Sequence, residues 1–274
     1  MAHLVWNFES HYLNENTELH IILPERERRT NAEDFYQQGK KYKVLWLLHG
    51  GQGSSSDWVR KSMIEQYACD NNLMVVMPGV GNTTYADWPT YAVGYDSYRF
   101  VLDELMTAVQ NWFPASGKRE DNFIIGLSMG GWGAAKFGIN NPEKFAGIGI
   151  LSSTIRNYDW MFEEIPPEKN PHYANMIRNE GGLDRFQQSL GYKTRETLEK
   201  IIAEGRAEEV PLIFMGYGDK DRHFLEFEEC REYLDRIGMP YALKIYPGME
   251  HEWRMWDLGV QDALRYFGFD LVDK

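Results

Sequence analysis

The sequence predicts an α/β fold: a mostly parallel, doubly wound sheet with helices on both faces, in one domain over residues 1–274. Three observations predict it. Short continuous apolar runs closed by glycine or proline alternate with stretches of helical spacing. No fixed-period repeat or low-complexity tract interrupts that rhythm. The chain has 274 residues, 43% hydrophobic and 26% charged, which suits one large α/β domain and excludes a disordered or collagen-like chain.

The N-terminal stretch reads as strand, and 20–23 is a short apolar run ended by Pro24. The charged run Glu25-Arg26-Glu27-Arg28-Arg29 and the polar stretch to Lys41 read as a solvated turn and loop. A buried parallel strand is expected over 42–48, closed by His49-Gly50-Gly51-Gln52-Gly53. Residues 54–57 supply cap candidates for a helix starting near Trp58. A second buried strand over 73–77 stops at Pro78-Gly79, and 80–94 is a loop rich in glycine and aromatics. Phe100, Leu102, Leu105, Met106, Val109 and Trp112 give helical spacing over 98–112. Strands follow at 122–126, 145–151, 210–215 and 241–246, with helices at 130–138, 224–236 and 253–266. Residues 152–209 break the pattern with Pro166-Pro167, Pro171 and Gly181-Gly182, and read as a small cap insert over the C-terminal edge of the sheet.

Lys and Arg total 29 and Asp and Glu 41, a net charge of −12, which argues against nucleic acid or anionic membrane as partner. No apolar stretch approaches the ~18 residues of a membrane span. The start, MAHLVWNFES, lacks a basic segment followed by an apolar one, so a cytoplasmic location is expected. Cys69 and Cys230 read as buried reduced thiols, and neither a metal site nor a disulfide framework is expected. Nine Trp and 14% aromatics exceed ordinary core needs, so some should line a cleft.

The strongest local signal is Gly126-Leu127-Ser128-Met129-Gly130, a G-x-S-x-G between the apolar Phe123-Ile124-Ile125 and a helix-forming run. That is the strand–turn–helix setting in which a serine sits on a strained turn and the flanking glycines let strand and helix approach. A serine hydroxyl needs a base. His251, between the last strand and the last helix, is the best placed of seven histidines, whereas His49 is given a structural role. The orienting acid should follow the 210–215 strand. Asp221 is favoured over Asp219. Oxyanion donors are expected at the Met129 amide, which opens a helix, and at Gly51, with Gln52 as rival. Tyr85 and Trp88 are candidate substrate-binding aromatics, and Trp160, Met161 and Phe162 could close the pocket from the cap.

Taken together, these segments resemble the esterase D-like α/β-hydrolases, the group of tributyrin esterases, S-formylglutathione hydrolases and feruloyl and acetylxylan esterases. The residues behind this are the elbow through Ala134, Leu47-Leu48-His49-Gly50-Gly51, Gly218-Asp219-Lys220-Asp221, and Tyr246-Pro247-Gly248 through His251 and Trp253. Phe8-Glu9-Ser10 and Ile21-Ile22-Leu23-Pro24 also fit. The resemblance implies an α/β-hydrolase fold and a cofactor-free serine esterase for short-chain or aryl esters, free or on carbohydrate. It supports Asp221 as the acid. S-formylglutathione or other thioester hydrolysis, and acyl transfer to a non-water acceptor, are the alternatives; self-association is left open. Where that family often has Gly before the base and Asp-Trp after it, Glu250 and Glu252 flank His251. Carboxylates there favour a protonated base, which predicts an upward-shifted pH optimum.

Overall fold

The computed structural model describes residues 1–26, 29–36 and 39–270. Glu27 and Arg28 of the charged run, and Gln37 and Gln38 of the polar loop, lie outside the described residues. An eight-stranded sheet forms the centre. Its strands are β1 (Ala2–Ser10), β2 (Glu15–Leu23), β3 (Val44–Leu48), β4 (Met74–Met77), β5 (Asn122–Leu127), β6 (Gly147–Leu151), β7 (Leu212–Gly218) and β8 (Ala242–Tyr246). They lie in the order β1-β2-β4-β3-β5-β6-β7-β8. β2 runs antiparallel to β1 and β4, and every other neighbouring pair is parallel.

The apolar runs follow from that position. β3, β5 and β6 are buried along their whole length. Alternate residues of a strand face opposite sides. Val44, Trp46 and Leu48 therefore join one core, and Leu45 and Leu47 join the other. The first core lies under the segment 97–112 and the helices Met129–Asn140 and Phe224–Ile237; the second lies under Asp57–Lys61, Ile64–Asp70 and Trp253–Tyr266. Covering both faces is what makes the sheet doubly wound.

Several boundaries differ from the sequence expectation. β2 begins at Glu15 because its polar first half pairs with β1 as a hairpin, where backbone hydrogen bonds rather than burial hold it. β7 runs on through Gly216, Tyr217 and Gly218, which pair with Lys244, Ile245 and Tyr246. The 97–112 segment is helical throughout, but Phe100–Leu105 is a π-helical stretch that turns Val101 into the core beside Phe100, Leu102 and Leu105. Cys230 is buried and Cys69 only partly so; both are free thiols.

Between β6 and β7 the chain forms the helices Tyr158–Glu164, Pro171–Asn179, Leu183–Gln188 and Thr194–Ala203. Tyr158, Met161, Met176 and Phe186 build a separate apolar cluster around Trp132 of the Met129–Asn140 helix. Among the described residues, no helix is long and apolar enough to cross a membrane.

Candidate active site

Ser128 occupies the turn from β5 into the helix Met129–Asn140, with φ 51° and ψ −118°. A non-glycine residue there is strained, and such strain persists only where the surroundings impose it. The Ser128 amide donates to the Leu151 carbonyl at 2.8 Å. The flanking glycines are sterically required: a Cβ on Gly126 would lie 2.1 Å from the Gly130 carbonyl oxygen, and one on Gly130 would lie 2.6 Å from the carbonyl oxygens of Leu48 and His49.

His251 and Asp221 come from the loops after β8 and β7. The His251 Nδ1 meets Asp221 Oδ2 at 2.8 Å, and the His223 amide donates to Asp221 Oδ1 at 3.0 Å. Burial alone would raise the Asp221 carboxyl; hydrogen bonds from His251, the His223 amide and the Ser152 hydroxyl outweigh it and hold the group below its ordinary value. Asp219 does other work, accepting the Gly248 amide at 2.7 Å. The two loops are laced together by the Asp219 amide on the Tyr246 carbonyl and the Lys220 amide on the Met249 carbonyl.

A cleft of about 710 Å³ brings Ser128 and His251 together, lined also by Gly51, Gln52 and Met129. The Met129 amide opens its helix, where the first N–H groups have no intrahelical acceptor. In the loop after β3, the Gln52 amide is engaged, donating to Asn82 Oδ1 at 2.5 Å. His49 is buried below. Its Nδ1 donates to the Gly50 carbonyl at 2.8 Å and its Nε2 accepts from the Val80 amide at 3.3 Å, which fixes a neutral tautomer. Burial pushes its imidazole below the ordinary value.

Neither Tyr85 nor Trp88 reaches the cleft. Tyr85 is fully buried, its hydroxyl on the His49 carbonyl and its ring against Phe137; a Cβ on Gly133 would lie 2.8 Å from that ring. Trp88 pairs with Tyr95 in a two-residue ladder and packs on Tyr91. Loop position alone does not say which way an aromatic ring turns, and here both turn inward. The aromatic lining comes instead from Trp253 and Trp256 beside the base and Tyr173 of the insert. Of the insert residues expected to close the pocket, Met161 lines the cleft, Trp160 lines a neighbouring groove and Phe162 packs against the Trp132 cluster. Glu250 is exposed, and the Glu252 carboxylate accepts the Glu250 amide.

Three contributors escape sequence reasoning. Ser152, just past β6 with φ 46°, bonds to Asp221 and accepts the Trp256 indole N–H at 3.0 Å. Asn82 holds the Gln52 amide, and Arg156 lines the cleft. Ser152 follows an apolar strand as Ser128 does, which was the available signal.

The Esterase family model matches residues 10–267. The chain belongs to the Esterase family. This esterase is 27% identical over 269 residues to an acetyl esterase of Caldicellulosiruptor saccharolyticus, covering 97% of the chain and 98% of the relative. It superimposes on FphF, a fluorophosphonate-binding serine hydrolase of Staphylococcus aureus, with TM-score 0.80 and 29% identity over 98% of this chain and 99% of that one. An S-formylglutathione hydrolase (FrmB) from S. aureus gives TM-score 0.77 at 28% identity, covering 97% and 98%. The esterase is thus a serine carboxylic ester hydrolase on an α/β-hydrolase fold.

Proposed function

We propose that this esterase cleaves short-chain acyl esters, acetyl esters foremost, through an acyl-enzyme on Ser128. The observation that carries this is the His251–Asp221 hydrogen bond at the cleft where Ser128 sits on its strained turn. With Nδ1 committed to Asp221, His251 has Nε2 left for the serine. His251 takes the Ser128 proton as Oγ attacks the ester carbonyl, and Asp221 stabilises the imidazolium. The amides of Met129 and Gly51 hold the oxyanion, a pair worth roughly 3 kcal/mol per donor. Gly51 is preferred to Gln52 because the Gln52 amide already has an acceptor. The imidazolium returns the proton to the departing alcohol. Water, deprotonated by His251, then releases the acid and restores Ser128.

The acetyl esterase relative supports the acyl preference. The 28% identical relative named as an S-formylglutathione hydrolase supports a second reading, in which the leaving group is a thiolate and the steps are otherwise the same. The substrate is read as a small molecule, and the free thiols favour a cytoplasmic setting. The test is a series of 4-nitrophenyl esters of increasing acyl length, alongside matched S-acyl thioesters, with product analysis. Turnover should peak at the short chains and fall by on the order of 10⁶ in kcat on Ser128→Ala. Turnover that survives that substitution would overturn the reading.

A further inference from the structure

Five buried side-chain polar atoms lack a close hydrogen-bond partner among the described residues, and three fall in one contact cluster: Trp132 Nε1, Arg156 Nη1 and the Tyr158 hydroxyl, the last of which interacts with the Arg156 guanidinium itself. The Arg156 guanidinium lies over the Trp132 ring at 4.0 Å, and Tyr158 meets that ring edge-on at 5.6 Å. Arg156 also lines the cleft that holds Ser128 and His251. Unpartnered buried polar groups are costly and call for a functional explanation. The Tyr158 hydroxyl can accept from Arg156, but an indole and a guanidinium can only donate, so the donors left over in this cluster suit a further acceptor.

The charges along the cleft point the same way. Asp57 is paired with Lys61 at 3.1 Å, and Glu226 is hydrogen-bonded to His223 at 2.7 Å while its charge is also felt by Arg156. No carboxylate among the described residues forms an ion pair with Arg156 or Arg222, both of which line the cleft. In a chain of net charge −12, the cleft lining still carries Lys61, Arg156 and Arg222 against only Asp57 and Glu226. Stacking on Trp132 covers one face of the Arg156 guanidinium and fixes its plane. A guanidinium held in this way suits the two-point hydrogen bonding at which arginine excels with carboxylates.

We infer that Arg156 is a specificity-determining residue, and that this esterase prefers substrates carrying a carboxylate at a distance from the scissile ester. The inference rests on the proposed Ser128 chemistry and deepens it. Arg156 does not touch the reacting atoms; it anchors the far end of the substrate.

The experiment compares matched substrates on the wild type and Arg156→Gln. One pair is mono-4-nitrophenyl adipate against 4-nitrophenyl hexanoate, with the carboxylate on the acyl side. The other is 4-acetoxybenzoate against phenyl acetate, with the carboxylate on the leaving group. The wild type should favour the charged member of at least one pair. Arg156→Gln should cut kcat/KM for that member, mainly through KM, by about 10- to 100-fold more than for its neutral partner. The pair that responds identifies the side of the ester. Arg156→Lys should retain part of the preference. Added salt should depress wild-type kcat/KM for the charged member alone, a readout that needs no variant to fold. No preference in either pair, or an equal loss on charged and neutral substrates, would overturn the inference while leaving the esterase reading intact. Failure of the esterase reading itself would show as neutral-ester turnover that persists in Ser128→Ala.

Discussion

Gly218→Ala should disable the site without touching a reacting group. A Cβ on Gly218 would lie 2.0 Å from the Met249 carbonyl oxygen, where ordinary contact begins at 3.4 Å. The loop after β8 would have to retreat by about 1.4 Å. Met249 stands two residues before His251, and Gly218 three before Asp221, so the retreat falls on the base and acid together. A misplacement of ~1 Å is enough to cost on the order of 10²-fold in rate. kcat with 4-nitrophenyl acetate should therefore fall by at least about 10²-fold. The overpacking itself should destabilise the fold by ~1–3 kcal/mol, measured by urea unfolding. Gly248→Ala separates strain from collision. Its φ is +73° and its Cβ meets nothing within 4 Å, so it should lose ~1–2 kcal/mol of stability and keep kcat. A folded Gly218→Ala enzyme with wild-type kcat would refute the claim that close contact of these two loops positions the base.

The remaining predictions probe the acid, a buried histidine and a buried lysine. Asp221→Asn should lower kcat by on the order of 10⁴, whereas Asp219→Asn, which touches only the Gly248 amide, should stay close to wild type; steady-state kinetics on both variants decide between them. Burial lowers the His49 pKa, so the unfolded chain takes up that proton first as pH falls. The stabilisation is complete above the ordinary value of 6.5 and is lost as pH drops toward the folded value. Urea midpoints should fall with pH below 6.5, and His49→Asn should flatten that slope. Lys136 donates from its buried ammonium to the carbonyls of Thr84 at 3.0 Å and Tyr85 at 2.9 Å, and Glu180 and Asp87 act on its charge. Lys136→Met strands those groups and should cost about 3–5 kcal/mol in urea unfolding.

The sheet and the elbow were legible because their causes are local. A strand covered on both faces needs an unbroken apolar run, and Val44–Leu48 and Gly147–Leu151 provide one. A serine on a turn crowded by β3 needs glycines at positions 126 and 130, and they stand in the sequence. β1 was harder to bound, because an edge strand only half-buries alternate side chains such as Leu4, Trp6 and Phe8. Tyr85 and Trp88 misled because an aromatic loop near the strand ends serves core and cleft equally well, and only packing against Phe137 and Tyr91 decides. Ser152 and Arg156 carried no motif. Their roles arise from partners far along the chain: Asp221 and Trp256 for one, Trp132 for the other.

The most direct test of the proposed chemistry is where a fluorophosphonate binds covalently. Labelling followed by peptide mass spectrometry should place one phosphonyl group per chain on Ser128. It should be absent from Ser128→Ala and strongly slowed in His251→Ala. A label on another residue, or a Ser128→Ala enzyme labelled as fast as the wild type, would contradict the account.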